Sequence, residues 1–143
     1  MSPAITSAEV DSVSTSLSTS ATPQTAGAFD LAEFADILES GDLAGKIATY
    51  AEHAEVRIID PDNPPGSPHV HQGRAQIEAA IRSEACHTVA CQVLNMIDGG
   101  DRIAFTELRQ YRDGSHEIAT STAELSGGRI ATQHAVVVWD PCG

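Results

Sequence analysis

The stretch YAEHAEVRIIDPDNPPGSPHVHQGRAQI, residues 50–77, decides the fold of this chain. Its order predicts the end of a helix, a strand at 55–59, a loop at 60–68 and a new helix over 73–83. The loop is predicted because its prolines and its glycine are incompatible with helix or sheet. Asp60 stands where the strand runs into this loop. A carboxyl group in such partly apolar surroundings is suited to proton transfer near neutral pH.

Two short helices are predicted upstream of this stretch. Apolar residues recur at helical spacing at Phe29, Leu31, Phe34, Ile37 and Leu38, and Gly41 is expected to end that helix. Asp42 is a plausible N-cap of the second helix, whose apolar face would carry Leu43, Ile47 and Tyr50. His53 is expected to cap its C-terminus, where the helix dipole favours a cation.

Four strands separated by glycine-containing turns are predicted downstream. They cover residues 88–97, 102–111, 116–125 and 129–139. Helices followed by a run of antiparallel strands are typical of an α+β domain. We therefore expect N-terminal helices packed on one face of a curved mixed or antiparallel sheet.

The chain divides into an arm and one domain. Residues 1–27 are rich in Ser and Thr and show no sustained period, which predicts a disordered arm. Residues 28–143 are enough for a single α+β pocket domain.

Composition excludes several classes of partner. Eight basic residues against 20 acidic ones give a formal charge of −12, which disfavours nucleic acid and anionic membranes. We expect neither a membrane-spanning segment nor a secretory signal. Three cysteines, an odd and small number, are typical of a reduced cytoplasmic protein. Cys86, His87 and Cys91 match no standard zinc spacing, so no metal site and no cofactor are predicted.

Four segments in a fixed order resemble one family. They are ESGDLAGKIATYAEHAEV at 39–56, IIDP at 58–61, GRAQI at 73–77 and SGGRIATQHAVVVWD at 126–140. They are similar to the nuclear transport factor 2-like superfamily, which includes ketosteroid isomerases, SnoaL-like polyketide cyclases and limonene epoxide hydrolases. The resemblance implies a cone-shaped, cystatin-like fold with a deep pocket for a small apolar molecule. It also implies a homodimer.

The resemblance assigns roles to residues. Asp60 corresponds to the general base of the ketosteroid isomerases, although as a loop aspartate it could instead cap backbone N–H groups. His69 and His71 would lie in the loop at the pocket mouth, and His71 could act as a second proton carrier. Other expected pocket-lining residues are Phe34, Tyr50, Gln110, Ser121, Gln133 and Trp139.

Other members' catalytic sets are incomplete here. A ketosteroid isomerase pairs its base with a tyrosine and a protonated aspartate, whose places fall on Phe34 and on Ser121 or Thr122. The Arg and Asp of epoxide hydrolases would fall on Leu108 and Gln110, so that water-activating set is expected to be absent. Because Glu107 and Arg109 have the opposite parity, they are predicted to pair on the outer face of the sheet.

Two functions remain open at this point. The first is an enzyme that transfers protons by general acid/base catalysis on an apolar cyclic or polyketide-like molecule, in an isomerisation, cyclisation or dehydration. The alternative is a non-catalytic ligand-binding or dimerisation module of the same fold.

Overall fold

The computed structural model describes residues 28–140, so the predicted arm lies outside the described residues. Three helices and six strands occur in it. Their bounds are α1 Leu31–Ser40, α2 Leu43–Ala48, β1 Tyr50–Ile59, β2 His69–Gln72, α3 Arg74–Ala85, β3 Thr88–Asp98, β4 Arg102–Tyr111, β5 His116–Ser126 and β6 Arg129–Asp140. No helix within 28–140 has the length and apolar character needed to cross a membrane.

The ends of the first two helices are fixed by side-chain and glycine caps. The Asp30 carboxylate accepts a hydrogen bond from the backbone N–H of Glu33 at 3.0 Å, which caps α1. Gly41 ends α1 with φ of 74°, a conformation that favours glycine. Asp42 accepts from the N–H of Gly45 at 2.9 Å and caps α2. The predicted helix end at Gly41 and the predicted N-cap at Asp42 are both confirmed.

Two boundaries around residues 50–72 differ from the sequence prediction. Helix α2 already ends at Ala48, and β1 begins at Tyr50 rather than at Glu55. His53 therefore lies in a strand and does not cap a helix. The segment 69–72 is a strand, not a loop. The reason is tertiary: β1 pairs with both β2 and β6, and these backbone hydrogen bonds outweigh local helical spacing.

The six strands form one mixed sheet in the order β2-β1-β6-β5-β4-β3. Strands β1 and β6 run parallel, and every other neighbouring pair is antiparallel. The helices pack on one face, so the predicted α+β class is confirmed. The register aligns Ile58, Ala135, Ser121 and Phe105 in one row across four strands, so these side chains share the helix-covered face.

The hydrophobic core closes one end of the space between helices and sheet. Phe34 of α1 meets Phe105 of β4 edge to face, with ring centroids 5.1 Å apart. Leu38, Ile47 and Ile130 are also buried in this cluster. Phe34 therefore packs in the core and also forms part of the cavity wall described next.

Candidate functional site

A cavity of about 250 Å³ lies between the three helices and the sheet. Much of its wall is apolar, with contributions from Leu38, Ile77, Ile81, Ala119 and Val137. Polar side chains enter it in two places, described below as the acid cluster and the hydroxyl–amide chain. An apolar cavity with a few convergent polar groups is the usual form of a small-molecule site.

The acid cluster consists of Glu84, Glu107, Arg109, Tyr111 and Glu117. Its centre is the Arg109 guanidinium, whose Nη1 lies 2.6 Å from Oε2 of Glu117 and 3.0 Å from Oε2 of Glu84. Nη2 of Arg109 donates to Oε1 of Glu107 at 2.6 Å. One planar cation thus joins side chains from α3, β4 and β5. A guanidinium can do so because its N–H donors point in several fixed directions.

The two most buried carboxylates of the cluster differ in how many of their oxygens accept a hydrogen bond. Both oxygens of Glu117 are occupied, because Oε1 accepts from the Tyr111 hydroxyl at 2.7 Å and from the Trp139 indole N–H at 3.0 Å. Glu107 is only 2% exposed, and its Oε1 accepts from Arg109. Its other oxygen, Oε2, has no hydrogen-bond donor within residues 28–140. Of these two carboxylates, Glu107 is therefore the one with an oxygen left over for a ligand.

The cluster carries an excess negative charge. It holds three carboxylates against Arg109 and against Lys46, whose Nζ lies 3.9 Å from Oε1 of Glu84. Burial alone would lower the pKa of Arg109, but Glu107, Glu84 and Glu117 together raise that pKa well above its usual value. Arg109 stays charged, and one carboxylate charge in the cavity wall is not neutralised. An uncompensated charge in partly apolar surroundings favours binding of a ligand with a hydrogen-bond donor group.

Sequence reasoning missed Glu107 and Arg109, because their predicted position on the outer face of the sheet is wrong. They have the same strand parity as Ile103 and Phe105, both buried in the core, so they lie on the helix-covered face. The apolar pair at 103 and 105 was the available signal for this facing. The family resemblance instead turned Leu108 and Gln110 toward the pocket, and that parity put Glu107 and Arg109 on the opposite face.

The hydroxyl–amide chain runs through Tyr50, Gln133 and Ser121, all buried in the cavity wall. The Tyr50 hydroxyl donates to Oε1 of Gln133 at 2.5 Å, and Nε2 of Gln133 donates to Oγ of Ser121 at 3.0 Å. Burial, and next the negative charge of Glu107, raise the pKa of Tyr50, which stays neutral. The Ser121 hydroxyl hydrogen has no acceptor within 28–140, so the chain ends in a donor at the cavity.

Asp60 lies outside the cavity. Its Oδ1 accepts from the backbone N–H of Asp62 and from Nδ2 of Asn63, both at 2.9 Å. The backbones of Asp60 and Asn63 also bond to each other at 3.0 Å in both directions. The structure thus places Asp60 in the capping role that the sequence left open, not in the predicted role of general base. An aspartate before proline readily stabilises a turn of this kind.

The remaining predicted residues divide between the cavity and the surface. His71 and Trp139 line the cavity, as do Phe34, Tyr50, Ser121 and Gln133. His69 is exposed, with its ring centroid 4.5 Å from that of His71. Gln110 is exposed opposite Ala90 and His116, on the outer face of the sheet. The prediction that Gln110 lines the pocket is wrong. It assumed that the even-numbered residues of β4 face the helices, whereas the odd-numbered ones, including Glu107, do so.

The chemistry of His71 is set by its partial burial. Burial lowers its pKa, and the neighbouring His69 lowers it further. His71 is therefore a neutral imidazole at neutral pH. No group of three or more histidine, cysteine, aspartate or glutamate side chains in the described part of the chain is arranged to hold a metal ion.

Neither a protein-family profile nor a curated protein matches the chain, whereas solved structures do. A nuclear transport factor 2-like protein of unknown function from Mesorhizobium loti is 20% identical, with a TM-score of 0.61 over 75% of this chain and 86% of its own. IdmH, a candidate polyketide cyclase from Streptomyces antibioticus, is 17% identical, with a TM-score of 0.57 over 75% and 88%. A candidate isomerase from Bacillus subtilis is 21% identical, with a TM-score of 0.53 over 78% and 84%.

These likenesses agree with the topology. The chain has the nuclear transport factor 2-like fold, as its sequence segments predicted. The identities of 17% to 21% establish the fold and carry no residue-level assignment. The function of this chain must therefore be argued from its own cavity.

Proposed function

We propose that this protein is an enzyme that transfers a proton on an apolar small molecule bearing a carbonyl oxygen, with Glu107 as the general base. The observation that carries the proposal is the free Oε2 of a carboxylate that is 2% exposed in the wall of an apolar cavity. Glu107 takes the role that the sequence gave to Asp60. General bases of this kind typically contribute about 10²- to 10⁴-fold to a rate.

The two polar features of the cavity are spaced for one small ring. Glu107 pairs with Ala119, and Ser121 follows two residues later on the same face of β5. Such diagonal neighbours lie roughly 7–8 Å apart. The small side chains of Ala119 and Ala135 leave room between them. A cyclic ketone can then place its oxygen at Ser121 and an adjacent C–H at Glu107.

The proposed reaction balances within this site. Glu107 removes a proton from the carbon next to the carbonyl group, and the electron pair of that C–H bond moves to the carbonyl oxygen. The Ser121 hydroxyl donates a hydrogen bond to the resulting enolate oxygen, with Gln133 and Tyr50 fixing the hydroxyl's position. Glu107 then returns the proton to carbon. Arg109 holds the carboxylate in place and stays protonated throughout.

The solved structures of similar fold give independent support. Two of them are described as a candidate polyketide cyclase and a candidate isomerase. Proton transfer at carbon is one kind of chemistry by which cyclisations and isomerisations proceed. The shared fold makes the same class of chemistry a reasonable proposal for this chain, with the substrate left to experiment.

The test is hydrogen exchange at carbon, which needs no knowledge of the natural product. β-Tetralone, an apolar bicyclic ketone, is incubated with the protein in heavy water, and loss of its α-hydrogens is followed by proton NMR. We expect exchange above the buffer rate that saturates with β-tetralone and falls in Ser121→Ala. Saturable binding without exchange would instead support a non-catalytic ligand-binding module. Neither binding nor exchange across a panel of apolar cyclic ketones would overturn the proposal.

A second candidate reaction follows from the Glu107–Arg109–Glu117 arrangement. In such a pair of carboxyl groups, the ionised carboxylate takes a proton from a water molecule, whose oxygen attacks a carbon of a strained ether. The second carboxyl group, in its protonated form, gives its proton to the ether oxygen as the C–O bond breaks. The sequence led us to expect that a water-activating set is absent, but the structure brings a glutamate version of it together. The test is diol formation from cyclohexene oxide in heavy-oxygen water, with the label in the diol read by mass spectrometry. Diol formation without ketone exchange would favour this second reaction.

We also propose a homodimer formed through the outer sheet face. Ile118 and Val138 are paired across β5 and β6, and Val136 lies two residues away on the same face. All three are exposed, at 43%, 63% and 51% respectively. A contiguous apolar patch of this kind favours a protein interface. Sedimentation equilibrium tests the proposal: wild type should sediment as a dimer and Val138→Lys as a monomer, whereas a monomeric wild type would contradict it.

A further inference from the structure

A second cavity, of about 230 Å³, lies on the far side of the acid cluster. It is enclosed by the C-terminal half of α1, the turn into α2, the last turn of α3 and the start of β3. Four residues line both cavities, and they form the partition between them: Lys46, Ile81, Glu84 and Arg109. The partition is one layer of side chains thick, and the proposed reaction does not use the space behind it.

Exposure across the cluster decreases from the second cavity inward. The side chain of Glu84 is 31% exposed, that of Arg109 is 12% and that of Glu107 is 2%. Cys91 lines the second cavity but not the first, and its Sγ lies 3.9 Å from Oε1 of Glu107. Glu107 itself does not line the second cavity, and the side chains of Cys91 and Arg109 separate the two.

Glu84 is the loosely held member of the partition. Its Oε2 accepts a hydrogen bond from Nη1 of Arg109 at 3.0 Å and lies 3.2 Å from the hydroxyl oxygen of Tyr111, whose hydrogen is donated to Glu117. Its Oε1 lies 3.9 Å from Nζ of Lys46, as an ion pair. Oε2 of Glu117 accepts a shorter hydrogen bond, of 2.6 Å, from the same Arg109 nitrogen, Nη1. When Glu84 swings away, Arg109 keeps its hydrogen bonds to Glu107 and Glu117, so the rest of the cluster stays together while the partition opens.

We propose that the second cavity is the route by which solvent water reaches Arg109 and Glu107, with the Glu84 side chain as the movable part of the partition. Its use in catalysis rests on the proposed function. A substrate in the first cavity would shield Glu107 from solvent on that side. The proton that Glu107 takes from carbon can then pass to a water molecule that has entered from the second cavity past Glu84, and a solvent proton replaces it on the carboxyl group. Charge and atoms balance, since one proton is exchanged for another.

The test uses two alanines of α3 as a matched pair. Ala85 lines the second cavity and not the first, whereas Ala80 lines the first and not the second. Leucine is a good helix former, so Ala85→Leu and Ala80→Leu both narrow one cavity without a large helix penalty. Exchange of the Arg109 guanidinium hydrogens with heavy water is measured by nitrogen-edited NMR on the full chain. Ser40→Leu, which narrows the second cavity from α1, serves as a second variant.

We expect Ala85→Leu and Ser40→Leu to slow Arg109 exchange several-fold, and Ala80→Leu to leave it near the wild-type rate. Slowing in Ala80→Leu with no change in the other two variants would overturn the proposal, because water would then enter through the first cavity. Equal rates in all variants would also overturn it. The measurement needs no substrate, so it decides the water route even if β-tetralone is not exchanged and the proposed function fails.

Discussion

Nη2 of Arg109 lies 2.6 Å from Oε1 of Glu107, and the two residues are separated by a single position on one strand. The pairing brings a cation and an almost fully buried carboxylate to the wall of an apolar cavity. It leaves the second oxygen of Glu107 free within residues 28–140. Both proposed reactions depend on this relationship.

Removal of the cation should destabilise the fold strongly. Arg109→Met leaves Glu84, Glu107 and Glu117 without their common partner. Breaking a buried pair by removing one partner typically costs about 3–5 kcal/mol. Urea unfolding of wild type and variant measures this loss. Arg102→Met is the matched control, since its pair with Glu124 is exposed and should cost less than about 1 kcal/mol. Equal losses in both variants would contradict the buried-cluster description.

The hydroxyl–amide chain predicts a pattern of non-additive stability changes. Tyr50→Phe removes the donor to Oε1 of Gln133 and leaves that buried acceptor unpaired, at about 1–3 kcal/mol. Gln133→Met in the Tyr50→Phe background removes the unpaired acceptor as well. The double variant should therefore be more stable than Tyr50→Phe alone, as measured by urea unfolding. A double variant that is less stable than either single variant would show that the two side chains do not act as a pair.

His71 should make stability depend on pH in one direction. Burial, and then His69, lower its pKa below the ordinary value of 6.5. The unfolded chain therefore binds a proton at a higher pH than the folded chain. This contribution to the free energy of unfolding is full above 6.5 and is lost as pH falls toward the lower folded pKa.

The measurement is urea unfolding of wild type and His71→Gln between about pH 7.5 and about pH 5, where histidine titrates. The wild type should lose more stability than the variant over this interval. NMR titration of the His71 ring should also show a rise in its pKa in His69→Ala. Parallel stability curves together with an unchanged titration would contradict this assignment.

Substitution of Asp60 should lower the stability of the protein slightly and leave its catalytic rate unchanged. Asp60→Ala removes the hydrogen bonds to Asp62 and Asn63, which are exposed or half-buried, so we expect a loss of about 1 kcal/mol. β-Tetralone exchange should stay at the wild-type rate, because the Asp60 carboxylate does not line the cavity. A large loss of exchange in a folded Asp60→Ala protein would restore the role that the sequence first suggested for it.

Local patterns predicted the parts of the fold that depend on local physics. Gly41 and Asp42 act through the backbone of their own turns, and both helix boundaries followed from the sequence. Strand β2 was not predictable in this way. Its four residues form a strand only because they pair with β1, and they follow directly on a proline-rich segment that indicates a loop. Residues 50–54 were likewise assigned to a helix, although β6 holds part of them in a strand.

The candidate site was harder to predict for a geometric reason. A one-residue error in strand facing exchanges the two faces of a sheet, and it moved Gln110 inward and Glu107 outward. Phe105 is an apolar residue two positions before Glu107, and its burial marks the face of β4 on which Glu107 lies. Ser121, Gln133 and Tyr50 lie in the cavity wall as the family resemblance implied, but the hydrogen bonds that link them required coordinates.

The most direct measurement of the central claim compares Glu107→Gln with Glu124→Gln in the β-tetralone exchange assay. Glutamine keeps the shape of the side chain and a partner for Arg109 but removes the basic carboxylate. We expect Glu107→Gln to lower the exchange rate constant about 10²- to 10⁴-fold with little change in β-tetralone affinity. Glu124, an exposed glutamate on the outer face, should tolerate the same change. Wild-type exchange rates in a folded Glu107→Gln protein would contradict the assignment of Glu107 as the base.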